Sequence, residues 1–255
     1  MSRLLSLVAG LSGLFMAAML AAQAPQQGVE VKAAPPPPPL EAENIWNLDL
    51  STGGRVVIQL RPDVAPNHVE RIKTLTRQGF YDGLAFFRVI DGFMAQSGDP
   101  QNSGIGGSPL PNLNAEISGL LHVRGAVAAA RTEDPNSANS QFYIMFTPRL
   151  NMDRGYSVFG RVVSGMNHVD AIVRGEPPAN PSRILRASIG ADNVPALTAV
   201  EIQAENARVA AASAAPPAGL EGPLELRTRP GVRVIRPGQP EPGPPPAPQP
   251  APQPQ

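Results

Sequence analysis

Along Ile45-Trp46-Asn47-Leu48-Asp49-Leu50 apolar and polar positions alternate, and after Ser51 to Gly54 a second β-rich run follows, Arg55-Val56-Val57-Ile58-Gln59-Leu60. Two such runs around a Thr-Gly-Gly turn predict a β-hairpin. Pro66 to Gln78 changes period: Val69, Ile72 and Leu75 share one face of a helix, Asn67 stands where a cap is expected, and Gly79 ends it. From Phe80 to Phe159 short apolar runs are broken by Gly, Pro, Asn and Asp. The clearest strands there are Arg124 to Ala130, Gln141 to Phe146 and, further on, Gly155 to Val163. A second helix fits Met166 to Arg174, with Met166, Val169, Ile172 and Val173 inward, and Arg183 to Ile189 reads as a closing strand. Many short strands with two isolated helices favour a mainly β, antiparallel architecture closed to hide its edges. Spacing alone does not separate a barrel from a sandwich.

The ends carry different patterns. Arg3 precedes an almost uncharged apolar run, Leu4 to Ala22, followed by the small residues Ala21, Ala22 and Ala24. This reads as a signal peptide over 1–24, with the cut after Ala24 or after Ala22. The competing reading is an uncleaved anchor, since about 19 apolar residues approach spanning length. Residues 25–43 form a polar linker whose run Pro35 to Pro39 is stiff in polyproline II, with order expected from near Ile45. Beyond a folded region over 44–192, residues 193–214 are Ala-rich and helix-compatible without a convincing apolar stripe. Residues 215–255 have the Pro, Gly, Gln and Ala composition of a disordered tail.

Composition narrows the chemistry. Many of the 31 prolines crowd the linker and tail, leaving about 150 to 165 residues for one sizeable core. Formal charge is zero, which offers no electrostatic grip on nucleic acid or acidic lipid. Without cysteine, disulfides, thiol catalysis and zinc–thiolate sites are excluded. His68, His122 and His168 share no metal-ligand spacing, and they read as surface or boundary residues, His68 and His168 on the wet faces of the two helices. Ser97 lacks the Gly-x-Ser-x-Gly frame of a nucleophile elbow. Gly104 and Gly106-Gly107 precede neither a lysine nor a helix, so they read as turn glycines.

Two segments remain. In Phe86-Phe87-Arg88-Val89-Ile90-Asp91-Gly92-Phe93-Met94-Ala95-Gln96-Ser97-Gly98-Asp99 an arginine lies among large apolar residues, with Phe93, Met94 and Gln96 shortly after it. In Asn139-Ser140-Gln141-Phe142-Tyr143-Ile144, strand alternation puts Gln141 and Tyr143 on one face and Phe142 and Ile144 on the other. The first segment resembles the cyclophilin signature F-x-R-I-I-x-G-F-M-x-Q-G-G-D, and the second is similar to that family's G-S-Q-F-F-I strand. Met152-Asp153 and Tyr156-Ser157-Val158-Phe159-Gly160-Arg161-Val162 resemble the stretch that follows. The resemblance runs from about Leu48 to Ala191.

The resemblance implies a closed eight-stranded antiparallel β-barrel capped by two α-helices, and peptidyl-prolyl cis-trans isomerase activity without metal or other cofactor. Carried over position by position, it implies Arg88 as the catalytic residue. It implies Phe93, Met94, Tyr143, Met152 and Tyr156 around the substrate proline, with Gln96 and Gln141 beside it and Ala130 and the backbone of Arg131 along the substrate chain. Asn151 departs from a tryptophan familiar in eukaryotic members, Tyr156 from a pocket histidine, Tyr143 from a phenylalanine and Phe87 from a histidine. These departures bear on substrate and inhibitor preference and leave the arginine in place. The implied partners are proline-containing unfolded or exported polypeptides, met by a periplasmic or secreted monomer. A binding module that holds proline segments as a chaperone is the other reading, and the intact Arg88 favours the enzyme.

Overall fold

The structure, a computed structural model, describes residues 35–214. The expected signal segment, the linker before Pro35 and the proline-rich tail lie outside the described residues.

The first alternating runs become β1 (Ile45–Leu50) and β2 (Gly54–Leu60), antiparallel, with Trp46 opposite Ile58 and Leu48 opposite Val56. The remaining strands are β3 (Arg88–Ile90), β4 (Met94–Ser97), β5 (Ala126–Ala129), β6 (Phe142–Met145), β7 (Val158–Ser164) and β8 (Ile184–Ile189). They form one curled antiparallel sheet in the order β3-β4-β6-β5-β7-β2-β1-β8. No continuous ladder joins its two ends. The seam is bridged at Ala85–Arg183 and Val89–Gly175 instead, which leaves little edge exposed for pairing with another chain.

Inside the curl, Trp46, Leu48, Val56, Ile58, Phe86, Val127, Phe142, Ile144 and Phe159 form the core. Trp46 meets Phe142 edge-to-face at 4.9 Å and Tyr81 at 5.2 Å, the geometry that ring quadrupoles prefer. The Tyr81 hydroxyl donates to the Ser140 carbonyl at 3.1 Å, so this buried polar tip is satisfied.

The first helix, α1 (Pro66–Arg77), covers one end with Val69, Ile72 and Leu75 buried. Asn67 does not cap it. Pro66 already opens the helix, so Asn67 lies within the first turn. The cap comes instead from Glu116, whose carboxylate accepts from the backbone N–H groups of Asn67 and His68, both at 3.0 Å, and from His68 Nδ1 at 2.6 Å. His68 is accordingly buried against Phe159, not on the wet face expected of it. His168, on the second helix, is half-buried close to Gly54.

That second helix, α2, ends early, at Met166–Asp170. Arg174 turns back to donate to the carbonyls of Asp170 and Ile172, while Val173, expected inward, is exposed. A third helix, α3 (Ala199–Ala214), occupies the Ala-rich stretch. Thr198 and Glu201 form a reciprocal capping box at its start, each backbone N–H donating to the other's side chain, Ile202 is buried, and Asn206 donates to the Ser51 carbonyl. Among the described residues no helix is long and apolar enough to cross a membrane. Order also begins before Ile45: the Pro35 and Pro38 carbonyls accept from Arg61 and Gln59 on the barrel wall. Prolines lack N–H but keep their carbonyls, and these fix the run to the barrel.

Burial opposes ionisation of Glu116, but His68 and the helix N–H groups outweigh it and hold the carboxyl below the usual range. The folded form thus favours the carboxylate. Its contribution is present above the unfolded value of about 4.3 and is lost as pH falls through the folded value. Glu116→Ala should cost about 2 kcal/mol or more, since it removes the cap and leaves His68 unpaired. It should also flatten the acid limb of the stability curve. Urea denaturation between neutral and acid pH measures both effects.

Candidate active site

Strand alternation divides each strand of this wall between two environments. Val89, Ala95, Val127, Phe142 and Ile144 enter the barrel core. Met94, Ala126, Ala128, Tyr143, Met145 and Val158 form a separate cluster on the outer face, with Phe93, Ala130, Met152 and Tyr156 packed against it. Register then aligns functional positions across strands. Arg88 opposes Gln96, Gln96 opposes Tyr143, and Tyr143 opposes Ala128.

Above this row lies a cleft of about 590 Å³ lined by Phe87, Arg88, Phe93, Met94, Gln96, Ala130, Arg131, Tyr143, Met152 and Tyr156, among others. Of the residues expected at the site, the structure brings all but Gln141 to this cleft. Gln141 lines an adjoining pocket that shares Gln96, Gly104, Ala130 and Arg131 with the cleft, accepting from Gln96 Nε2 at 2.8 Å and donating to the Gly104 and Gly106 carbonyls. Asn151 is exposed, in a short 3-10 turn at Leu150–Met152, and is outside the cleft lining.

Arg88 is half-exposed at the mouth. Its Nε donates to Glu176 at 2.9 Å and its Nη1 reaches Gln96 at 3.4 Å. Phe93 lies beneath the Arg149 guanidinium, 5.5 Å from ring centroid to Cζ. Tyr156 is stacked under Arg131 at 4.5 Å, whose guanidinium is anchored on the Thr132, Glu133 and Gly155 carbonyls. Each of these two rings therefore carries a cation on one face.

The floor holds a network the sequence did not disclose. His122, expected at a surface or boundary, is fully buried. Its Nδ1 faces Asp153 at 2.9 Å and its Nε2 faces the Tyr143 hydroxyl at 3.0 Å. Both ring nitrogens are therefore satisfied, one by a carboxylate and one by a phenol. Burial, with Tyr156 adding to it, pushes the Tyr143 phenol far above the ordinary tyrosine value, so it stays protonated. The hydroxyl is thereby engaged at the floor, on His122.

The rim is shaped by Asp99, also buried. It accepts from the backbone N–H groups of Gln101, Ser103, Gly104 and Gly106 and from the Ser103 hydroxyl. Burial disfavours its charge, but those donors prevail and hold its carboxyl below the usual range. The glycines Gly104 and Gly106 thus wrap an internal carboxylate. Gly98, at φ +94, is forced: a Cβ there would lie 2.3 Å from the Ser140 carbonyl oxygen. Ser97 is buried and donates to the Ala85 carbonyl. Sequence reasoning also missed Glu176, which follows a glycine in a proline-rich loop without a periodic pattern.

Known proteins share sequence and fold with this chain. The family described as cyclophilin type peptidyl-prolyl cis-trans isomerase/CLD matches residues 47–189. A Brucella suis protein named "Probable peptidyl-prolyl cis-trans isomerase" is 46% identical over 168 residues, covering 60% of this chain and 85% of that one. Peptidyl-prolyl cis-trans isomerase B of Bacillus subtilis is 35% identical, covering 50% and 89%. A cyclophilin from Hirschia baltica superposes with TM-score 0.56 at 28% identity, covering 61% and 77%. A Cryptosporidium parvum cyclophilin type isomerase, solved in the presence of the dipeptide Ala-Pro, shares the fold with TM-score 0.54 at 23% identity, covering 57% and 98%.

Tyr143→Phe keeps the ring and deletes the hydroxyl, leaving His122 Nε2 buried without a partner. Stability should drop by about 1–3 kcal/mol, whereas kcat/KM should stay within about threefold, since the lost group faces the floor. Chemical denaturation beside a peptide isomerisation assay separates the two.

Proposed function

The chain belongs to the cyclophilin type peptidyl-prolyl cis-trans isomerases, and on that premise we propose that it serves exported polypeptides, with Arg88 as its catalytic group. The row Arg88–Gln96–Tyr143 along a cleft that also carries Phe93, Met94 and Met152 supports the role of Arg88.

The reaction breaks no covalent bond. Amide resonance sets a rotational barrier of about 18–20 kcal/mol, and uncatalysed X-Pro isomerisation takes tens to hundreds of seconds. As the bond twists, resonance is lost and the prolyl nitrogen recovers its lone pair, becoming a hydrogen-bond acceptor. The Arg88 guanidinium is permanently charged and rich in donors. Aimed at that nitrogen, it interacts more strongly with the twisted state than with either planar one, which is the condition for catalysis. Phe93, Met94, Tyr143, Met152 and Tyr156 hold the prolyl ring while the preceding carbonyl swings. Ala130 and the backbone of Arg131 line the path of the substrate chain.

Export rests on the run from Leu4 to Ala22 with small residues after it. We assign the mature protein to the periplasm or the exterior, as a monomer without membrane insertion. N-terminal sequencing of the protein from cell fractions should find a start just after Ala22 or Ala24. Residues 1–22 retained on membrane-bound material would identify an anchor instead.

Arg88→Ala should leave melting behaviour close to wild type, because the side chain is half-exposed and outside the core. Its kcat/KM should fall by two to three decades, equivalent to the roughly 2.7–4 kcal/mol lost with one preorganised donor. Lysine should rescue poorly, as an ammonium does not reproduce the planar fork. A folded variant with near wild-type turnover of proline tetrapeptides would remove Arg88 from the mechanism.

A further inference from the structure

Arg88 faces an acid that the backbone itself delivers. Val89 and Gly175 exchange two hydrogen bonds, Val89 N–H to the Gly175 carbonyl at 2.8 Å and Gly175 N–H to the Val89 carbonyl at 2.9 Å. The bridge is antiparallel, so the residues stepping away from it, Arg88 and Glu176, are opposed in register. Cross-strand neighbours at this spacing interact directly, and Glu176 Oε2 accepts from Arg88 Nε at 2.9 Å. Gly175 permits the approach: it sits at φ +148, and a Cβ on it would come within 2.6 Å of Pro178 Cα. Only glycine meets that backbone and that space.

The guanidinium is consequently gripped at two edges. Glu176 takes Nε, and Gln96, itself fixed by Gln141, takes Nη1. Nη2 has no partner among the described residues. Both members of the pair are about half exposed, and an ion pair of that exposure adds little to stability. Its effect is on orientation, because a flexible arginine at a cleft mouth otherwise samples many rotamers.

We propose that Glu176 is a positioning residue that fixes the plane of the Arg88 guanidinium and turns its remaining donors toward the cleft. The inference rests on the reading of Arg88 as the catalytic group. It makes the loop after α2 part of the active site, joined to β3 across the barrel seam.

The experiment uses the full chain and a proline tetrapeptide, comparing Glu176→Ala, Glu176→Gln and Arg88→Ala with wild type. Glu176→Ala should lower kcat about tenfold, leave KM within about twofold and melt with wild type, because only the aim of the donor is lost. Glu176→Gln keeps an oxygen acceptor for Nε–H and should recover kcat to within about threefold of wild type. Adding Glu176→Ala to Arg88→Ala should cause no further loss. Wild-type or raised kcat in Glu176→Ala would overturn the proposal, and so would an equal loss in Glu176→Gln. If Arg88→Ala is itself active, the reading of Arg88 fails first; if it is inactive while Glu176→Ala is unimpaired, only the positioning role fails.

Discussion

The pairing of β4 with β6 is the constraint on which the rest depends. Two short strands with side chains alternating between faces must serve a barrel interior and a binding cleft together. Phe142 and Ile144 point one way into the aromatic core, while Tyr143 and Met145 point the other way into the cleft wall. A slip of one residue in this pair would exchange the two sets. The core would then receive a phenol and the cleft would lose its floor. Trp46 and Tyr81, packed edge-on to Phe142 and its neighbours, therefore hold the register that positions Gln96 against Arg88.

Around that fixed wall, polar groups do the finer shaping, two of them satisfied from a distant part of the chain and one from its own loop. Glu116 caps α1 across 49 residues, Asp153 orients His122 across 31, and Asp99 gathers the rim loop within 7. Buried carboxylates are stable only when several donors meet them. Asp99 and Glu116 are both held below their usual range despite burial, so loop geometry and acid sensitivity are linked in this fold. Seen this way, the glycines of the rim serve a carboxylate already in the protein.

The proposed catalytic cleft differs from a plain apolar slot through its tyrosines. Tyr143 is tied beneath by His122, and Tyr156 is pressed from above by Arg131. The Tyr143 hydroxyl and one face of the Tyr156 ring are thereby engaged within the protein. Rigid walls of that kind suit a reaction in which one half of the substrate is gripped while the other rotates. On the proposed reading the donor is Arg88, and its aim becomes the property to control.

What the sequence determined by itself was local and periodic. Alternation from Ile45 to Leu60 specified the hairpin, and apolar spacing specified α1. The motif around Arg88 and Phe93 identified the family, because each of these signals is carried by neighbours in the chain. The Thr198–Glu201 capping box was equally local and marks where α3 starts, although the Ala-rich stretch lacked a stripe to announce it. Tertiary structure decided the rest. It buried His68 and His122, moved the α1 cap from Asn67 to Glu116, ended α2 at Asp170 and brought the prolines before Ile45 onto the barrel wall. It also set Glu176 opposite Arg88, 88 residues away along the chain. These outcomes rest on hydrogen bonds between segments with no periodic relation, so their partners become defined only once the sheet has curled and its seam has closed.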